Sequence, residues 1–400
     1  MRNIFLTSIV LLGLTSCHDE IIPDPSIIAA KECADYLKNN NLDTSICLWK
    51  MALKDDQAIT LHESYGDYSI AIYKYINVLQ FRDAVTGDYL MQTAIPSHIE
   101  KSSQVSIAKN YLILANPDYF IYTEVDLNTG LKTYSTSQLL YNCLVTFEKD
   151  VYYSETTHSF PYTAQIKKKQ LGFSGNWDLI YSANIPNGDS LAYDGIAVIH
   201  NSLGQKIIVI EQVISRNEHV RKLLAYNEDE KHFSWESPLI KTTYSSVSIF
   251  SIEDELYYMS GDRISRYSVD DGKIIWSNSN IHVDLEKPKY NNKSFILRTY
   301  DNLISVERST GKTDWEISDK NNSNQIRVED QYFYLLTRNS IKKMDMKDGK
   351  LLKEVLGPSF NCYDIHSEST IPLFSSFSIN SKYKILCSKD NNNLFGIKLP

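Results

Sequence analysis

Short runs of apolar and β-branched residues recur along most of the chain, and each recurrence is centred on a polar turn. The residues on either side of the turn alternate or run as apolar and aromatic side chains, as half-buried strands do. Most of these turns contain Gly, which supplies the positive φ of a tight hairpin. The pattern therefore predicts repeated antiparallel β-hairpins. They lie at Arg82–Met91, Val125–Tyr134, Tyr226–Trp235, Tyr267–Trp276, Val306–Trp315 and Met344–Lys353.

A further apolar strand precedes each hairpin, so each unit is predicted to hold at least three strands in a meander. Leu256–Met259 and Tyr332–Leu336 are two of these preceding strands. The turn position falls at residues 87, 130, 231, 272, 311 and 349. Units therefore repeat at roughly forty residues, a period typical of propeller blades. The interval after 130 has room for two units, and Gln165–Tyr181 supplies the missing one with its turn shifted.

The two ends of the chain are predicted to form the last unit together. Ile385–Leu399 contains the strands that precede a hairpin, and Ser45–Met51 is a Trp-containing strand without a hairpin before it. A ring closed in this way leaves no exposed sheet edge. All five tryptophans are then expected at equivalent positions: Trp49, Trp177, Trp235, Trp276 and Trp315. The sequence thus predicts an all-β, eight-bladed β-propeller of four-stranded antiparallel blades, or seven blades if the unit near residue 173 is an insertion.

The repeated unit of strand, Thr-Gly-Lys turn and Trp-containing strand resembles the repeat of quinoprotein-type propellers, named for pyrroloquinoline quinone (PQQ) dehydrogenases. The resemblance covers about residues 45–400. It implies the propeller fold, and one fold hosts many activities. Enzymes of that family resemble one another in adjacent cysteines, a catalytic Asp and a calcium ion beside the cofactor. This chain has no adjacent cysteines and no GxSxG, P-loop or HExxH motif. We therefore expect no enzyme activity, no catalytic or metal-binding residue and no cofactor.

The first seventeen residues read as a targeting segment. Arg2 precedes an apolar run over residues 4–14, which is too short for a membrane-spanning helix of about 20 residues and fits a secretory signal peptide. The ending Leu-Thr-Ser-Cys at residues 14–17 resembles the lipobox of bacterial lipoproteins. The resemblance implies cleavage before Cys17 and lipidation of that residue. We therefore expect a protein lipid-anchored to the bacterial cell envelope, at the outer membrane.

Three segments follow from these patterns. Residues 1–16 are predicted to be the signal peptide, and residues 17–44 a lipidated tether. Apolar residues at helical spacing between positions 27 and 37 predict a short helix in the tether. Residues 45–400 are predicted to be one propeller domain.

Composition and charge narrow the expected partners. The 400-residue chain is 42% hydrophobic, which is enough for a large core, and its formal net charge is −8. A nucleic-acid-binding protein needs a basic stripe, and none is present, so we expect no nucleic acid partner. An acidic protein is repelled by anionic lipid, so the lipid on Cys17 is expected to provide the membrane attachment.

Five cysteines remain besides Cys17, and this odd number leaves at least one without a disulfide partner in the chain. The repeat places Cys47 and Cys387 on non-adjacent strands of the last unit, which is unfavourable for a direct disulfide. Two pairings stay open, Cys33 with Cys47 and Cys362 with Cys387, beside the alternative of buried thiols.

Two stretches break the repeat, residues 182–204 and residues 357–372. Loops on a rigid scaffold are where binding sites usually lie. We therefore expect a partner surface at these stretches and at exposed aromatic side chains around Tyr152, Tyr153 and Phe160.

Together these features predict a non-enzymatic lipoprotein that presents a propeller as a protein-binding scaffold. A propeller lipoprotein of this size resembles the accessory subunit of the outer-membrane β-barrel assembly machinery. That resemblance implies contact with a larger envelope protein through loops on one face of the ring. The alternatives are a lipoprotein that binds a surface glycan or small ligand, and one that neutralises a toxin in the envelope.

Overall fold

The structure is a computed structural model of the chain. It describes residues 47–52, 59–65, 68–73, 78–96, 104–116, 121–136, 143–156, 163–184, 193–215, 218–242, 247–279, 281, 288–299, 301–319, 325–336, 340–356, 362–363, 370–371, 376–380, 385–389 and 393–398. The signal peptide, Cys17 and the short helix expected in the tether lie outside these residues. The regular elements within them are all β-strands. No described helix is long and apolar enough to cross a membrane.

The first described strand is β1 (Cys47–Ala52), and three sheets follow it in chain order. Sheet I contains β2 (Ile59–Tyr65), β3 (Tyr68–Tyr73), β4 (Val78–Asp83) and β5 (Tyr89–Ala94). Sheet II contains β6 (Gln104–Ala108), β7 (Tyr111–Asn116), β8 (Ile121–Asp126) and β9 (Lys132–Thr136). Sheet III contains β10 (Cys143–Phe147), β11 (Asp150–Thr156), β12 (Thr163–Gln170) and β13 (Asp178–Asn184).

Sheets IV and V continue the same pattern. Sheet IV contains β14 (Tyr193–His200), β15 (Lys206–Ser215), β16 (Val220–Asn227), β17 (His232–Glu236) and the short β18 (Ile240–Lys241), which pairs with β16. Sheet V contains β19 (Val247–Ile252), β20 (Glu255–Ser260), β21 (Arg263–Tyr267) and β22 (Ile274–Asn278).

The remaining strands complete two meanders and a last sheet. Sheet VI contains β23 (Lys289–Tyr290), β24 (Ser294–Arg298), β25 (Asn302–Glu307) and β26 (Thr313–Ser318). Sheet VII contains β27 (Gln325–Val328), β28 (Tyr332–Leu336), β29 (Ser340–Asp345) and β30 (Leu351–Leu356). A two-stranded sheet of β31 (Cys362–Tyr363) and β32 (Thr370–Ile371) follows. Sheet VIII contains β33 (Ser376–Asn380), β34 (Ile385–Lys389) and β35 (Asn393–Lys398) together with β1.

Strand order follows chain order in sheets I to VII, and all their pairings are antiparallel. Sheet VIII has the order β33-β34-β35-β1, because the first described strand pairs with the last one. Its strand β33 contacts both β27 of sheet VII and β2 of sheet I. Sheet VIII therefore has contacts with both the first and the last of the seven meanders.

The hydrophobic core is divided among the junctions between successive sheets. One cluster joins sheets IV and V and includes Trp235 and Tyr258, and another joins sheets V and VI and includes Trp276 and Phe295. Second strands such as β7 and β20 are buried on both faces, so they read as continuous apolar runs. Each fully buried large side chain contributes about 1.5–3 kcal/mol to stability.

Three of these junctions are built around a tryptophan and the turn of the next sheet. The indole Nε1 atoms of Trp235, Trp276 and Trp315 donate to backbone carbonyls in that turn, at 2.6, 3.0 and 2.9 Å. Gly272 and Gly311 pack against the indoles of Trp235 and Trp276, where an added Cβ would lie 2.4 and 2.3 Å from the ring. Both glycines have positive φ, so turn geometry and close approach each require Gly. We call the IV/V, V/VI and VI/VII contacts the indole junctions.

The pairing register tests whether the tryptophans are equivalent. Trp235, Trp276 and Trp315 each follow a β-bulge on the fourth strand of their sheet. The backbone of Trp49 holds the same place in β1, opposite Gly396.

Trp177 was expected at this position too, but the register places Tyr181 there. The amides of Leu127 in sheet II and Leu171 in sheet III each donate to a carbonyl in the first connection of their own sheet. The residue that follows the bulge on the fourth strand lies seven residues later in sheet II (Tyr134) and ten residues later in sheet III (Tyr181). The turn of sheet III is therefore three residues longer. Trp177 lies in that longer turn instead of on the strand.

Candidate functional site

The turns of sheets I to VII define a common surface. In an antiparallel four-stranded meander, the first and third connections lie at one end of the sheet and the second connection at the other. The first and third connections of these sheets therefore share one face, which we call the turn face. The second connections and the links between sheets share the opposite face, the loop face. Much of the loop face lies outside the described residues, and the candidate site lies on the turn face.

The two stretches expected to be partner loops are placed as follows. Within residues 182–204, residues 193–200 form β14, the first strand of sheet IV, and residues 201–204 form its first turn. Within residues 357–372, only β31 and β32 are described. The first stretch, expected to be a partner loop, therefore includes a regular blade strand.

Two of the three aromatic residues expected at the surface are not exposed. Tyr152 and Tyr153 are both buried in β11, and Phe160 lies outside the described residues. The prediction was wrong because β11 is a second strand, covered by neighbouring sheets on both faces. Tyr152 packs in the cluster between sheets III and IV, and Tyr153 packs in the cluster between sheets II and III.

Large apolar side chains are exposed in the turns of four successive sheets. Val85, Leu131, Phe173 and Leu203 have exposed fractions of 37, 65, 62 and 78%. They belong to sheets I, II, III and IV respectively, and all four lie in turn-face connections. We call these four residues the apolar arc. Exposed apolar groups that share one face are typical of protein-interaction surfaces.

The turns of sheets V to VII carry polar and charged groups instead. The corresponding exposed positions hold residues such as Asp270, Asp271, Ser309 and Asp348. A polar groove of about 820 Å³ lies between sheets VI and VII on this side. Its lining carries five carboxylates and three basic groups: Glu255, Glu307, Asp314, Asp330 and Asp345, with Lys293, Arg308 and Lys347. We call this feature the polar groove.

One basic group of the groove is already neutralised. The Arg308 side chain is only 5% exposed, and its Nε and Nη2 atoms donate to Glu255 Oε2 at 3.0 and 2.6 Å. Its Nη1 donates to the Asn291 carbonyl at 2.9 Å. The other Glu255 oxygen lies 3.0 Å from Arg266 Nη2, and the Tyr257 hydroxyl donates to Glu255. Burial first, and the Glu255 carboxylate next, raise the pKa of Tyr257.

Carboxylates in these turns are held in their charged form by local donors. The Lys273 side chain lowers the pKa of Asp271 to about 2. The Thr310 hydroxyl lowers the pKa of Glu307, and the Lys350 ammonium lowers that of Asp348. These three acids are therefore ionised at neutral pH and contribute to the negative potential of this side of the turn face.

A buried ion pair holds sheets II and III together. Lys169 Nζ lies 2.7 Å from Glu124 Oε1, and both side chains are buried. The Tyr122 hydroxyl donates to Glu124 Oε1 at 2.6 Å, and the Gly172 amide donates to Oε2 at 2.8 Å. Lys169 Nζ also lies 4.1 Å from the centre of the Tyr134 ring. Trp177 packs against this assembly, 5.4 Å from the Tyr122 ring.

The consecutive lysines Lys167, Lys168 and Lys169 form the densest basic run among the described strands, and each has a carboxylate partner. Lys167 pairs with Glu155 of its own sheet, and Lys168 pairs with Glu228 of sheet IV, which also accepts from the Tyr152 hydroxyl. The II/III and III/IV contacts are therefore joined by charged groups, and we call them the ionic junctions. The run itself was visible in the sequence, but its partners lie on other strands.

Cysteines and potential metal ligands add no further site. Cys47 and Cys387 lie on β1 and β34, with β35 between them. Cys143 is half-buried at the start of β10 and packs between sheets III and IV. Cys33 lies outside the described residues. In the described part of the chain, no three His, Cys, Asp or Glu side chains converge to hold a metal ion.

Comparison with known proteins finds relatives in structure. No known protein family matches the chain, and no curated protein matches it. BamB from Moraxella catarrhalis is 11% identical, with a TM-score of 0.53 over 88% of this chain and 99% of its own. Sqt1 from Saccharomyces cerevisiae is 9% identical, with a TM-score of 0.58 over 89% and 99%. The computationally designed Ika8 protein is 11% identical, with a TM-score of 0.59 over 87% and 98%.

These likenesses define the fold class. BamB is a PQQ-like β-propeller, and Sqt1 is a WD40 propeller. The chain is all-β in its described part, with four-stranded antiparallel sheets in sequence order. It is therefore a β-propeller, and the similarity to PQQ-like propellers expected from the repeated turn is supported at the level of the fold.

Proposed function

We propose that this protein is a non-enzymatic scaffold that binds another protein through its turn face. The observation that carries the proposal is the apolar arc, in which four successive sheets expose large apolar side chains on one face. Covering such groups on association is favourable by about 25 cal/mol per Å² of apolar surface. The arc is a set of turns on packed sheets, so a partner would meet a preformed surface.

The scaffold we propose is a ring of eight blades closed by β1. Sheets I to VIII each contain four strands in a continuous path, and β1 pairs with β35. Strand β33 contacts both β27 and β2, which supports a position of sheet VIII between sheets VII and I. These observations support a closed ring, which would hold all the turns at fixed positions.

The proposed location is the bacterial outer membrane, with the ring tethered by lipid on Cys17. The lipobox-like ending at residues 14–17 supports the anchor. The resemblance to the accessory subunit of the β-barrel assembly machinery makes a component of that machinery the first envelope partner to test. BamB shares the propeller fold with this chain.

No observation favours glycan binding over protein binding. Sugar recognition by stacking needs aromatic rings that are exposed and close together. The large exposed aromatic residues of the described part are Tyr89, Phe173 and Tyr290, which lie on three different sheets. Tyr152 and Tyr153, the aromatic pair expected at the surface, are buried.

The test is crosslinking in intact cells, followed by purification through a C-terminal tag and mass spectrometry. It compares the full chain with a triple variant of the apolar arc, Leu131→Ser, Phe173→Ser and Leu203→Ser. Leu239→Ser is the matched control, because Leu239 is also 65% exposed but lies in a link on the loop face.

We expect one envelope protein to be enriched with the full chain and with Leu239→Ser. The triple variant should lower its recovery about tenfold or more, because truncating even one of the few side chains that dominate an interface costs about 2 kcal/mol or more. Equal recovery with the triple variant, or no enriched protein at all, would contradict the proposal. Circular dichroism and thermal unfolding of the purified variants would show that the fold is intact.

A further inference from the structure

The polar groove has an excess of negative charge once its internal pair is discounted. Arg308 is paired with Glu255, so both leave the balance. Four carboxylates then remain against Lys293 and Lys347. In the described residues, no Lys or Arg forms an ion pair with Asp314, Asp330 or Asp345. Their negative charge is therefore available to a ligand.

The walls of the groove are fixed rather than loose. Asp314 Oδ2 accepts from Ser294 Oγ at 3.2 Å and from Ser305 Oγ at 3.3 Å. Asn291 Nδ2 donates to the Asp330 carbonyl at 2.8 Å, which ties the hairpins of sheets VI and VII together. The Met346 carbonyl accepts from Trp315 Nε1, which holds the turn of sheet VII against sheet VI. The carboxylates are thus presented on a preorganised surface.

Arg308 lines the groove, and its side chain is held by the preceding sheet. The equivalent turn position is Met346 in sheet VII and Val269 in sheet V, since all three supply the carbonyl that accepts an indole Nε1. In sheet VI this position is held by Arg308, and its side chain donates to Glu255 of sheet V. All three side chains therefore contact the preceding sheet, and at Arg308 this contact is an ion pair, so its charge does not neutralise the other carboxylates of the groove.

The chemistry of the groove indicates the class of ligand. Its volume lies in the range of ligand sites, roughly 300–1,000 Å³. Its acids do not converge on one point in the described structure, so they do not form a cage for a single metal ion. Separated carboxylates along a polar groove suit several ammonium or guanidinium groups, each of which forms charge-assisted hydrogen bonds.

We infer that the polar groove binds a lysine- or arginine-bearing segment of the partner protein. This inference rests on the proposed function, since the groove and the apolar arc lie on the same turn face. A partner that covers both would contact sheets I to IV through apolar groups and sheets VI and VII through basic ones. The same groups occur on free polyamines, so the experiment must separate these two sources.

The experiment measures the binding of pentalysine and of spermidine to the purified full chain by isothermal titration calorimetry. The groove variant is Asp314→Asn with Asp330→Asn, which keeps side-chain shape and removes two charges. The matched control is Asp254→Asn with Asp301→Asn, which removes the same charge at exposed positions outside the groove.

We expect pentalysine to bind the full chain and the control alike, and to bind the groove variant about fivefold to thirtyfold more weakly. That range corresponds to the loss of two solvent-accessible ion pairs. Spermidine should bind more weakly than pentalysine. Equal weakening by the two double variants would overturn the inference, as would the absence of pentalysine binding. Tighter binding of spermidine would assign the groove to a free amine.

The crosslinking experiment distinguishes this inference from the proposed function. If the partner is recovered equally well with Asp314→Asn and Asp330→Asn in place, the scaffold stands and the groove is not its contact. If no partner is recovered while pentalysine binds selectively, the groove retains its cation chemistry and the scaffold role fails.

Discussion

The indole junctions and the ionic junctions solve the same packing problem with different chemistry. At the IV/V, V/VI and VI/VII contacts, an indole lies on a turn and donates one hydrogen bond to it. At the II/III contact, Tyr134 takes the place of the indole and a buried Lys169 lies over its ring. The first solution rests on apolar burial with no charge to desolvate. The second rests on a charge pair whose desolvation must be offset by complete hydrogen bonding.

The same blade geometry therefore accommodates both the apolar indole junctions and the charged ionic junctions. The V/VI contact combines the two kinds of junction. Trp276 donates to the Arg308 carbonyl, and the Arg308 side chain pairs with Glu255. The two kinds should nevertheless respond differently to substitution. A buried pair fails severely when one charge is left alone, whereas an apolar junction fails in proportion to the volume that is added or lost.

The largest effect is expected at the II/III ionic junction. Glu124→Gln keeps an acceptor for the Gly172 amide but leaves the Lys169 ammonium buried without its counter-charge. We expect the free energy of unfolding to fall by about 3–5 kcal/mol. Urea titration followed by tryptophan fluorescence measures it. Glu155→Gln, on the neighbouring sheet III, is the control. Its pair with Lys167 is partly exposed, so this substitution should cost about 1 kcal/mol or less.

The double variant Glu124→Gln with Lys169→Met sharpens this result. It removes both charges together, so it should be more stable than Glu124→Gln alone. If the single substitution costs no more than Glu155→Gln does, the buried pair is not what joins sheets II and III, and the distinction between the two kinds of junction fails.

The next largest effect is expected at an indole junction. Gly311→Ala places a Cβ 2.3 Å from the Trp276 ring at a residue with φ of +73°. We expect a loss of about 2–4 kcal/mol, the sum of backbone strain and overpacking. Gly204→Ala isolates the strain, because Gly204 has φ of +75° but no heavy atom within 4 Å of the added group. It should cost about 1–2 kcal/mol.

The difference between these two glycine variants measures the indole contact itself. Equal losses would show that Gly311 is required only for its turn. A larger loss at Gly311, partly restored by adding Trp276→Leu, would show that the close approach of the ring sets the requirement.

The sequence predicts the indole junctions well and the ionic junctions hardly at all. Gly and Trp recur at fixed spacing in the units ending at Trp276 and Trp315, because the indole of one sheet packs on the turn Gly of the next sheet. The positions of Glu124 and Lys169 show no such period, since their pairing arises only when two sheets meet. The position of Trp177 was predicted wrongly because turn length, too, is not visible in the repeat. Its residue type fitted the repeat, while a longer turn moved the position to Tyr181.

The turn face also combines features that the sequence predicts with features that it does not. The turns themselves were predictable from their Gly residues, but burial depends on neighbours that are distant in sequence. Tyr152 and Tyr153 could not be recognised as buried without knowing that sheets cover β11 on both faces. The charge balance of the polar groove depends on the pair between Arg308 and Glu255, and nothing in the local sequence indicates that pair.

The smallest expected effect concerns the pH dependence of a tyrosine in sheet VII. Burial first, and the nearby Glu329 carboxylate next, raise the pKa of Tyr334 to about 12. The unfolded chain loses this proton near pH 10, so the folded state retains the proton over a range in which the unfolded state does not. Stability from this group is therefore fully present below pH 10 and is lost as pH rises towards 12.

Tyr334→Phe removes the group that causes this pH-dependent loss of stability, so the variant is the reference for the measurement. Between pH 9 and pH 11 the full chain should lose about 1 kcal/mol more of its unfolding free energy than the Phe variant does. Urea titrations at the two pH values, with tyrosinate absorbance recorded alongside, would show it. Tyr152→Phe extends the comparison to an ionic junction, where burial and then Glu228 raise the pKa. The Tyr152 variant should also lose stability at neutral pH, because it lacks the hydroxyl that donates to Glu228. Identical pH profiles for both variants and the full chain would show that neither buried site holds its tyrosine neutral.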